Sequence, residues 1–289
     1  MGQRPIPPTI VAVALLLAAL WGGTATAIKV GLRDLPALLL AGLRFSIGAL
    51  LVYSWARAQR ASLRLQPGEA APILLLALVF AAQIATFNWG TDLTQAGRST
   101  LILNSYPLWV LLMAHVFVPG DRLSAAKVAG AVCAFLGLAI VFSESFGAAS
   151  GSLAGDLMVL LSALLLAAQV VMVNRMVRAI DPNRLLLWQM LFSLPVYFLG
   201  SALLGERVEH LSLPGVLALL YQGVMVAGVC FIVWTALLKS YSPSRLSVIL
   251  FTTPLFGIVL SRMVLGEPVS PHLGAGGLLV ALGIALAQR

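Results

Sequence analysis

Four side-chain amides lie in the middle of long apolar stretches of this chain. They are Gln83, Asn104, Gln169 and Gln222, each on a different stretch. An amide removed from water needs a hydrogen-bond partner, because an unpaired polar group in an apolar environment is costly. Two uses are open: hydrogen bonds between helices, worth about 0.6 kcal/mol on average, or one wet cavity shared by all four. Four amides on four stretches favour the cavity, so we predict that they bind a solute.

Aromatic side chains share helical faces with these polar residues. Phe87 lies one turn from Gln83, and Trp21 lies one turn from Thr24. Stripes of aromatic residues more often pack a core or lie at a lipid interface. Trp21 is the first choice for solute contact, because two glycines follow it and expose backbone beside its indole ring. The predicted solute-binding set is Trp21, Thr24, Gln83, Phe87, Asn104, Gln169, Gln222, Trp234 and Phe251.

The acidic residues point away from ion coupling. All of them lie at or near the ends of the apolar stretches. Carriers driven by protons or sodium usually keep a carboxylate buried on the ion path. The lack of one favours facilitated movement of a solute down its gradient. His115 is retained as a candidate proton site.

The sequence lacks the arrangements of residues that catalysis within a membrane would require. The sequence has no HExxH motif and no pair of carboxylates within an apolar stretch. Ser105 and His115 share one stretch but lie about 15 Å apart along a straight helix, so they cannot form a dyad. Cys133 and Cys230 lie inside apolar runs, as core thiols do. We therefore predict no enzymatic activity, no metal site and no cofactor.

The composition is that of a membrane protein. Of the 289 residues, 60% are hydrophobic and only 10% are charged, whereas soluble domains carry about 25% charged residues. The net charge of +8 comes from basic residues in short gaps between apolar stretches. That placement indicates topology signals, so we expect lipid and a small solute as partners and no nucleic acid.

A transmembrane helix needs about 20 mostly apolar residues. Ten stretches qualify and fill nearly the whole chain, which predicts an all-α integral membrane protein with ten transmembrane helices. The predicted spans are 9–31, 36–57, 70–91, 97–118, 124–143, 154–177, 184–204, 213–238, 244–264 and 271–288.

Basic residues predict the orientation of these spans. Ten spans place both termini on one side, and that side carries twelve Lys and Arg residues against five on the other. Positively charged loops face the cytoplasm, so we predict cytoplasmic termini and a multi-pass protein of the cell inner (plasma) membrane. Arg44 lies about two turns inside the second span, and we expect its side chain to reach outward toward Asp34.

The sequence contains an internal repeat. When Pro107 is aligned with Pro254, Arg98 falls on Arg245. With one gap, "GDRLS" (120–124) meets "GEPVS" (266–270), and two later glycines of each half coincide. The halves, 1–145 and 150–289, have five predicted spans each. Because five is odd, the second half enters the membrane from the opposite face, which predicts an inverted repeat of the kind found in secondary transporters.

Three segments resemble the EamA half of the drug/metabolite transporter superfamily. They are "LWGGTATAIKVGL" (20–32), "GDRLSAAKVAGAVCAFLGLAIV" (120–141) and "GEPVSPHLGAGGLLVALGIALA" (266–287). The resemblance covers essentially the whole chain, although no Trp-Gly pair stands in the second half, where Gln169 aligns with Gly23. It implies a ten-helix exporter of small metabolites, amino acids or drugs that works by alternating access, with Trp21 at the pore.

The two aligned prolines are candidate hinges. Proline removes a backbone hydrogen bond from a helix, which here frees the carbonyl groups of Leu103 and Leu250. Hydroxyl groups next to Pro107 and Pro254 can satisfy the freed groups. Their occurrence in both halves favours a hinge on each side of the membrane over a static kink.

Small residues crowd the fifth and tenth spans, where "AGAVCAFLG" and "GAGGLLVALG" place glycine and alanine on one face. Small faces let helices approach closely. We interpret these spans as a scaffold at the back of the bundle. A homodimer seam is the alternative.

The leading interpretation is a carrier that exports small amphipathic solutes, aromatic amino acids among them. An exchanger of phosphorylated sugars or nucleotide sugars would need cationic residues at mid-depth, and only Lys29 and Arg44 come near. A non-transporting structural or regulatory membrane subunit is the alternative from another class.

The topology can be tested with two single cysteines. Ser150→Cys should react with a membrane-impermeant thiol reagent from outside, and Ala61→Cys only from inside. A version with Cys133 and Cys230 replaced by alanine supplies the background. The reverse labelling pattern would contradict the inverted repeat.

Overall fold

The computed structural model describes residues 7–117, 125–145, 151–240, 249–250 and 252–287. Helices dominate this part of the chain, and it contains no strand. The helices are α1 (Pro8–Gly22), α2 (Thr24–Gly31), α3 (Ala37–Ala58), α4 (Ala70–Leu93), α5 (Ala96–Leu103), α6 (Tyr106–Phe117), α7 (Ala125–Ser145), α8 (Gly151–Met176), α9 (Pro182–Leu203), α10 (Leu213–Leu220), a π-helical segment (Tyr221–Cys230), α11 (Phe231–Ser240), α12 (Thr253–Leu265) and α13 (Pro271–Ala287).

Each of the ten predicted spans is mainly helical in the part that the structure describes. Six continuous helical stretches are long and apolar enough to cross a membrane by themselves: Pro8–Gly31, Ala37–Ala58, Ala70–Leu93, Leu153–Met176, Pro182–Leu203 and Leu213–Leu237. Val128–Ser143, Thr253–Leu265 and Pro271–Leu286 are shorter apolar helices. The all-helical integral membrane class is therefore confirmed.

Local sequence signals set several helix ends. Asp181 accepts hydrogen bonds from the backbone N–H groups of Asn183 (2.9 Å) and Arg184 (3.2 Å) at the start of α9. The hydroxyl group of Ser212 accepts a backbone N–H at 3.2 Å at the start of α10. Gly266 ends α12 with φ of 69°, a left-handed conformation that glycine adopts without steric cost.

The small faces of α7 and α13 pack against each other within one chain. A methyl group at Gly137 would lie 2.6 Å from the carbonyl oxygen of Gly276. A methyl group at Gly283 would lie 2.5 Å from the carbonyl oxygen of Gly130. Only glycine permits this approach of two helix backbones, which maximises their van der Waals contact. The interface occupies the small-residue faces of both helices.

Glycine also brings α4 and α8 together, and this contact joins the two halves of the chain. A methyl group at Gly90 would lie 2.9 Å from the carbonyl oxygen of Gly155. Gly155 in turn lies against the backbone of Leu93 and Thr94. The close approach places the end of α4 beside the start of α8, where a buried ion pair is found.

The seam between α7 and α13 predicts opposite effects for two glycine substitutions. Gly137→Ala should lower the free energy of unfolding of the detergent-solubilised protein by about 1–3 kcal/mol, because the added methyl group overpacks the interface. Gly274→Ala is the matched control, because a methyl group there meets no neighbouring atom within 4 Å. Alanine favours helix over glycine by about 1 kcal/mol, so the control should be neutral or stabilising. Equal melting temperatures for both variants would contradict the seam.

Candidate functional site

The two aligned prolines follow helix breaks that have the same hydrogen bonds. Ser105 donates its backbone N–H and its hydroxyl group to the carbonyl oxygen of Ile102, at 3.1 and 2.6 Å. Thr252 donates the same two groups to the carbonyl oxygen of Ile249, at 3.1 and 2.7 Å. Side-chain hydroxyl groups thus occupy carbonyl groups at each break, as helices in hydrocarbon require.

These contacts correct two details of the sequence interpretation. The hydroxyl groups bond one residue earlier than Leu103 and Leu250, whose carbonyl groups were expected to be freed. Pro107 lies in the first turn of α6 after a break in the helix, where proline is tolerated. Pro254 likewise lies in the first turn of α12. Each proline therefore starts a new helix and does not kink the middle of one.

A second pair of interruptions faces each other in the first and eighth predicted spans. In the first span a single turn residue, Gly23, separates α1 from α2, and the eighth span contains the π-helical segment. The hydroxyl group of Tyr221 donates to the carbonyl oxygen of Leu20 at 2.6 Å and links the two. Gly22 and Gly23 are both buried, so they do not expose backbone beside Trp21 as expected. A methyl group at Gly22 would lie 2.7 Å from the carbonyl oxygen of Thr253.

Trp21 and Trp234 come together as members of the predicted set. Their ring centroids are 5.8 Å apart at 77°, and Phe231 lies 6.3 Å from Trp21 at 74°. Edge-to-face geometry of this kind is favourable for aromatic pairs. Trp21 remains half-buried. Thr24, one turn further along, has a buried hydroxyl group without a hydrogen-bond partner in the part of the chain that the structure describes.

The amides fall into separate groups. Gln83 donates to Ser162 at 2.8 Å, Gln169 donates to Gln83 at 3.4 Å, and Gln189 donates to Gln169 at 3.5 Å. This chain of side chains connects α4, α8 and α9. Sequence reasoning missed Gln189 and Ser162, although Gln189 is also an amide within a predicted span and could have been included.

Gln222 lies outside this chain. It donates to the carbonyl oxygen of Ala27 at 3.1 Å and accepts a hydrogen bond from Arg44 at 3.1 Å. Asn104, which directly follows α5, donates to the carbonyl oxygen of Thr100 at 2.8 Å.

The other predicted residues are spread over several places. Phe87 packs in a buried cluster with Ala25 and Ile28. Phe251 lies outside the described residues, and so does the side chain of His115.

Arg44 does not reach Asp34, and that expectation was wrong. Its side chain is buried, with 3% of the residue exposed, and lies over the ring of Phe45 at 4.6 Å from the centroid. Asp34 instead accepts hydrogen bonds from the hydroxyl group of Ser212 and, at 2.8 Å, from its backbone N–H. These two bonds stabilise the carboxylate and hold the pKa of Asp34 below its usual range.

Two of the carboxylates that lie at the ends of predicted spans are buried. Asp156 is fully buried, and its carboxylate lies 2.5 Å from the guanidinium group of Arg98. Thr94 also donates to Asp156, at 2.6 Å. Glu69 is 8% exposed and pairs with Arg184 at 2.7 Å. Each carboxylate thus has a buried arginine as counter-ion.

The acid of the "GEPVS" motif binds the start of α5. Glu267 accepts the backbone N–H groups of Ala96 at 2.8 Å and Gly97 at 3.1 Å. Its carboxylate also lies 3.7 Å from the ammonium group of Lys29, which donates to the carbonyl oxygen of Thr94. A carboxylate at a helix N-terminus is favourable because it satisfies free N–H groups and opposes the helix dipole. This cluster connects the two halves.

The pattern of one transporter family matches the chain twice. The EamA-like transporter family matches residues 8–143 and again residues 153–288. The chain belongs to the EamA-like transporter family. The family assignment makes this a membrane transporter, and its two matched copies divide the chain close to the predicted boundary between the halves.

Related proteins agree with the EamA-like assignment. An uncharacterized transporter of Bacillus subtilis, YoaV, is 26% identical and aligns over 92% of this chain and 91% of its own length. A protein of Salmonella typhimurium named a probable amino-acid metabolite efflux pump is 27% identical, over 94% and 92%. A solved crystal structure shares the fold with a TM-score of 0.71 at 21% identity, covering 97% of each chain.

The buried ion pair between α5 and α8 predicts a large loss of stability when its acid is removed. Asp156→Ala in this EamA-like transporter should lower the free energy of unfolding by about 3–5 kcal/mol, because it leaves Arg98 buried without that carboxylate. Asp92→Ala is the matched control, since Asp92 lies exposed at the end of α4. Thermal unfolding in detergent measures both variants. An Asp156 variant as stable as the control would show that the ion pair does not contribute to stability.

Proposed function

We propose that this protein exports small amphipathic metabolites, including aromatic amino acids, by alternating access between two inverted five-helix repeats, 1–145 and 150–289. The observation that carries the proposal is the double match to the EamA-like family, one copy in each half. Two related halves that meet across the membrane provide the two gates that an alternating carrier needs.

The reciprocal glycine contacts support the inverted repeat. In the sequence alignment Gly130 corresponds to Gly276, and Gly137 corresponds to Gly283. Exchanging the halves therefore converts the contact of Gly137 with Gly276 into the contact of Gly283 with Gly130, and both contacts are present. Reciprocal contacts of this kind are those that a two-fold axis generates. The matching hydrogen bonds at Ser105 and Thr252 agree with the same relation.

Polar contacts between the halves support a gate on one side. In the predicted topology the links of Arg98 to Asp156 and of Lys29 to Glu267 lie on the outer side. Near the first of them, Gly90 of α4 and Gly155 of α8 are in close backbone contact. An outer gate would have to separate these groups when solute is released. We therefore infer that this conformation is closed toward the outside.

The solute class rests on the predicted site and on the relatives. Homologues from Salmonella typhimurium and Escherichia coli are named probable amino-acid metabolite efflux pumps, at 27% and 25% identity. The aromatic group at Trp21 provides apolar contact for an amphipathic solute. The buried carboxylates that the structure describes, Glu69 and Asp156, are both paired with arginine, so we keep facilitated export without ion coupling, with His115 as the candidate if protons take part.

A counterflow assay in proteoliposomes tests the function. Purified protein should accumulate labelled aromatic amino acids from a panel above the level of empty vesicles. Trp21→Ala should reduce accumulation strongly at normal folded yield. Trp55→Ala is the matched control, because Trp55 is 39% exposed on α3. No flux of any solute would instead favour the non-transporting membrane subunit.

Replacing either proline tests the hinges. Pro107→Ala and Pro254→Ala restore a backbone N–H, so the broken helices can become continuous. Turnover should fall severalfold in both variants while affinity changes less, because conformational steps often limit transport-like cycles. The accessibility of a cavity cysteine to an impermeant thiol reagent should increase from outside in one variant and from inside in the other. Pro72→Ala, at an exposed position in the first turn of α4, is the control. Unchanged turnover and accessibility would leave both prolines as static features.

A further inference from the structure

Arg44 is the exception among the buried arginines that the structure describes. The side chains of Arg98 and Arg184 each contact a carboxylate, at 2.5 and 2.7 Å. Arg44 is equally buried, at 3% exposed, but it forms no ion pair with any described residue. It lies on α3 about 10 Å from the start of the helix, from the rise per residue. A charge at this depth is costly and marks a functional site by default.

The neutral groups around Arg44 use only part of its hydrogen-bonding capacity. One terminal nitrogen donates to the side-chain oxygen of Gln222 at 3.1 Å, while Gln222 is held by its own bond to Ala27. The guanidinium group also lies over the ring of Phe45. Its Nε is buried and has no hydrogen-bond partner in the described part of the chain. A guanidinium group has five donors in a planar fork that suits a carboxylate.

A second unused donor lies nearby on α9. The hydroxyl group of Tyr197 is buried without a hydrogen-bond partner among the described residues. The nearby hydroxyl group of Ser193 donates to the carbonyl oxygen of Met190 at 2.7 Å. Tyr197 stacks on Phe45 at 5.9 Å between centroids, and Arg44 lies over the same ring at 4.6 Å. Buried donors without acceptors are rare in folded proteins, and two in one neighbourhood call for an acceptor.

The partner of Arg44 lies on an irregular helix. Gln222 is the second residue of the π-helical segment, which interrupts the eighth predicted span. π-Helical turns occur frequently at functional sites. The hydrogen-bond acceptor that Arg44 has among the described residues therefore lies on a segment of a kind that often marks such a site.

We propose that Arg44 and Tyr197 bind the carboxylate of the transported solute, which replaces the side-chain oxygen of Gln222 during the transport cycle. The ring of Phe80, 4.8 Å from that of Phe45, extends the apolar surroundings for the rest of the solute. This inference rests on the proposed function and narrows it to amphipathic carboxylates. Neutral analogues of the same shape should be poor solutes.

Pairs of solutes that differ only in the carboxylate test the site. Phenylacetate is compared with phenylacetamide, and phenylalanine and leucine are compared with their amides. Each compound is measured by counterflow in proteoliposomes and by thermal stabilisation of the purified full-length protein. The native protein should prefer the carboxylate member of at least one pair about tenfold or more, as expected for hydrogen bonds to a charged group.

Variants then locate the preference. Arg44→Gln should reduce the ratio between acid and amide to about one, and Arg44→Lys should retain part of it because lysine keeps the charge without the fork. Tyr197→Phe, which removes only the hydroxyl group, should lower the ratio severalfold. Arg57→Gln, an exposed arginine on the same helix, should leave it unchanged.

The outcomes separate this inference from the proposed function. Transport of acids and amides at equal rates would overturn the carboxylate site and leave the exporter intact. Selective binding through Arg44 without flux would overturn the exporter and leave the site. No preference in either assay overturns the site outright. If Arg44→Gln does not fold, full selectivity in both Arg44→Lys and Tyr197→Phe overturns it as well.

Discussion

Within hydrocarbon there is no water to satisfy a backbone group or a charge, so this chain must supply every partner itself. At three helix interruptions a hydroxyl group donates to a carbonyl group, from Ser105 and Thr252 at the proline breaks and from Tyr221 beside Gly23. Most buried charged and amide side chains likewise have a hydrogen-bond partner within the chain. The helices pack so that these partners can meet.

The same requirement explains where the two halves are joined. Glycine faces let α7 meet α13, and α4 meet α8, at backbone distance. Near the ends of α4 and α8, polar links take over, with Arg98 paired to Asp156 and Glu267 on the start of α5. Apolar contacts can slide at little cost, whereas a buried ion pair has one good geometry. A carrier that moves its halves would therefore depend most on the polar links.

Arg44 stands apart because its hydrogen-bond partner is an amide and it pairs with no carboxylate among the described residues. A purely structural role would be better served by a carboxylate, as the chain provides for Arg98 and Arg184. The incomplete satisfaction of Arg44 and of Tyr197 is therefore most simply understood as a place kept for a ligand. Its location beside the π-helical segment connects binding to the part of the eighth span that is least regular.

The order of residues alone shows the lengths of the apolar stretches, the pair of prolines and the repeated glycines. These features can be interpreted from sequence because each concerns a single helix or the repeat between the two halves. They led to the helical membrane class and the family, and they indicated that the last helix of each half has a face that permits close helix packing. The partners of buried polar residues could not be assigned in this way. Gln83 bonds Ser162, Arg44 bonds Gln222 and not Asp34, and Asp156 is buried near a span end. These pairings depend on the relative rotation and depth of different helices, which only their tertiary packing decides.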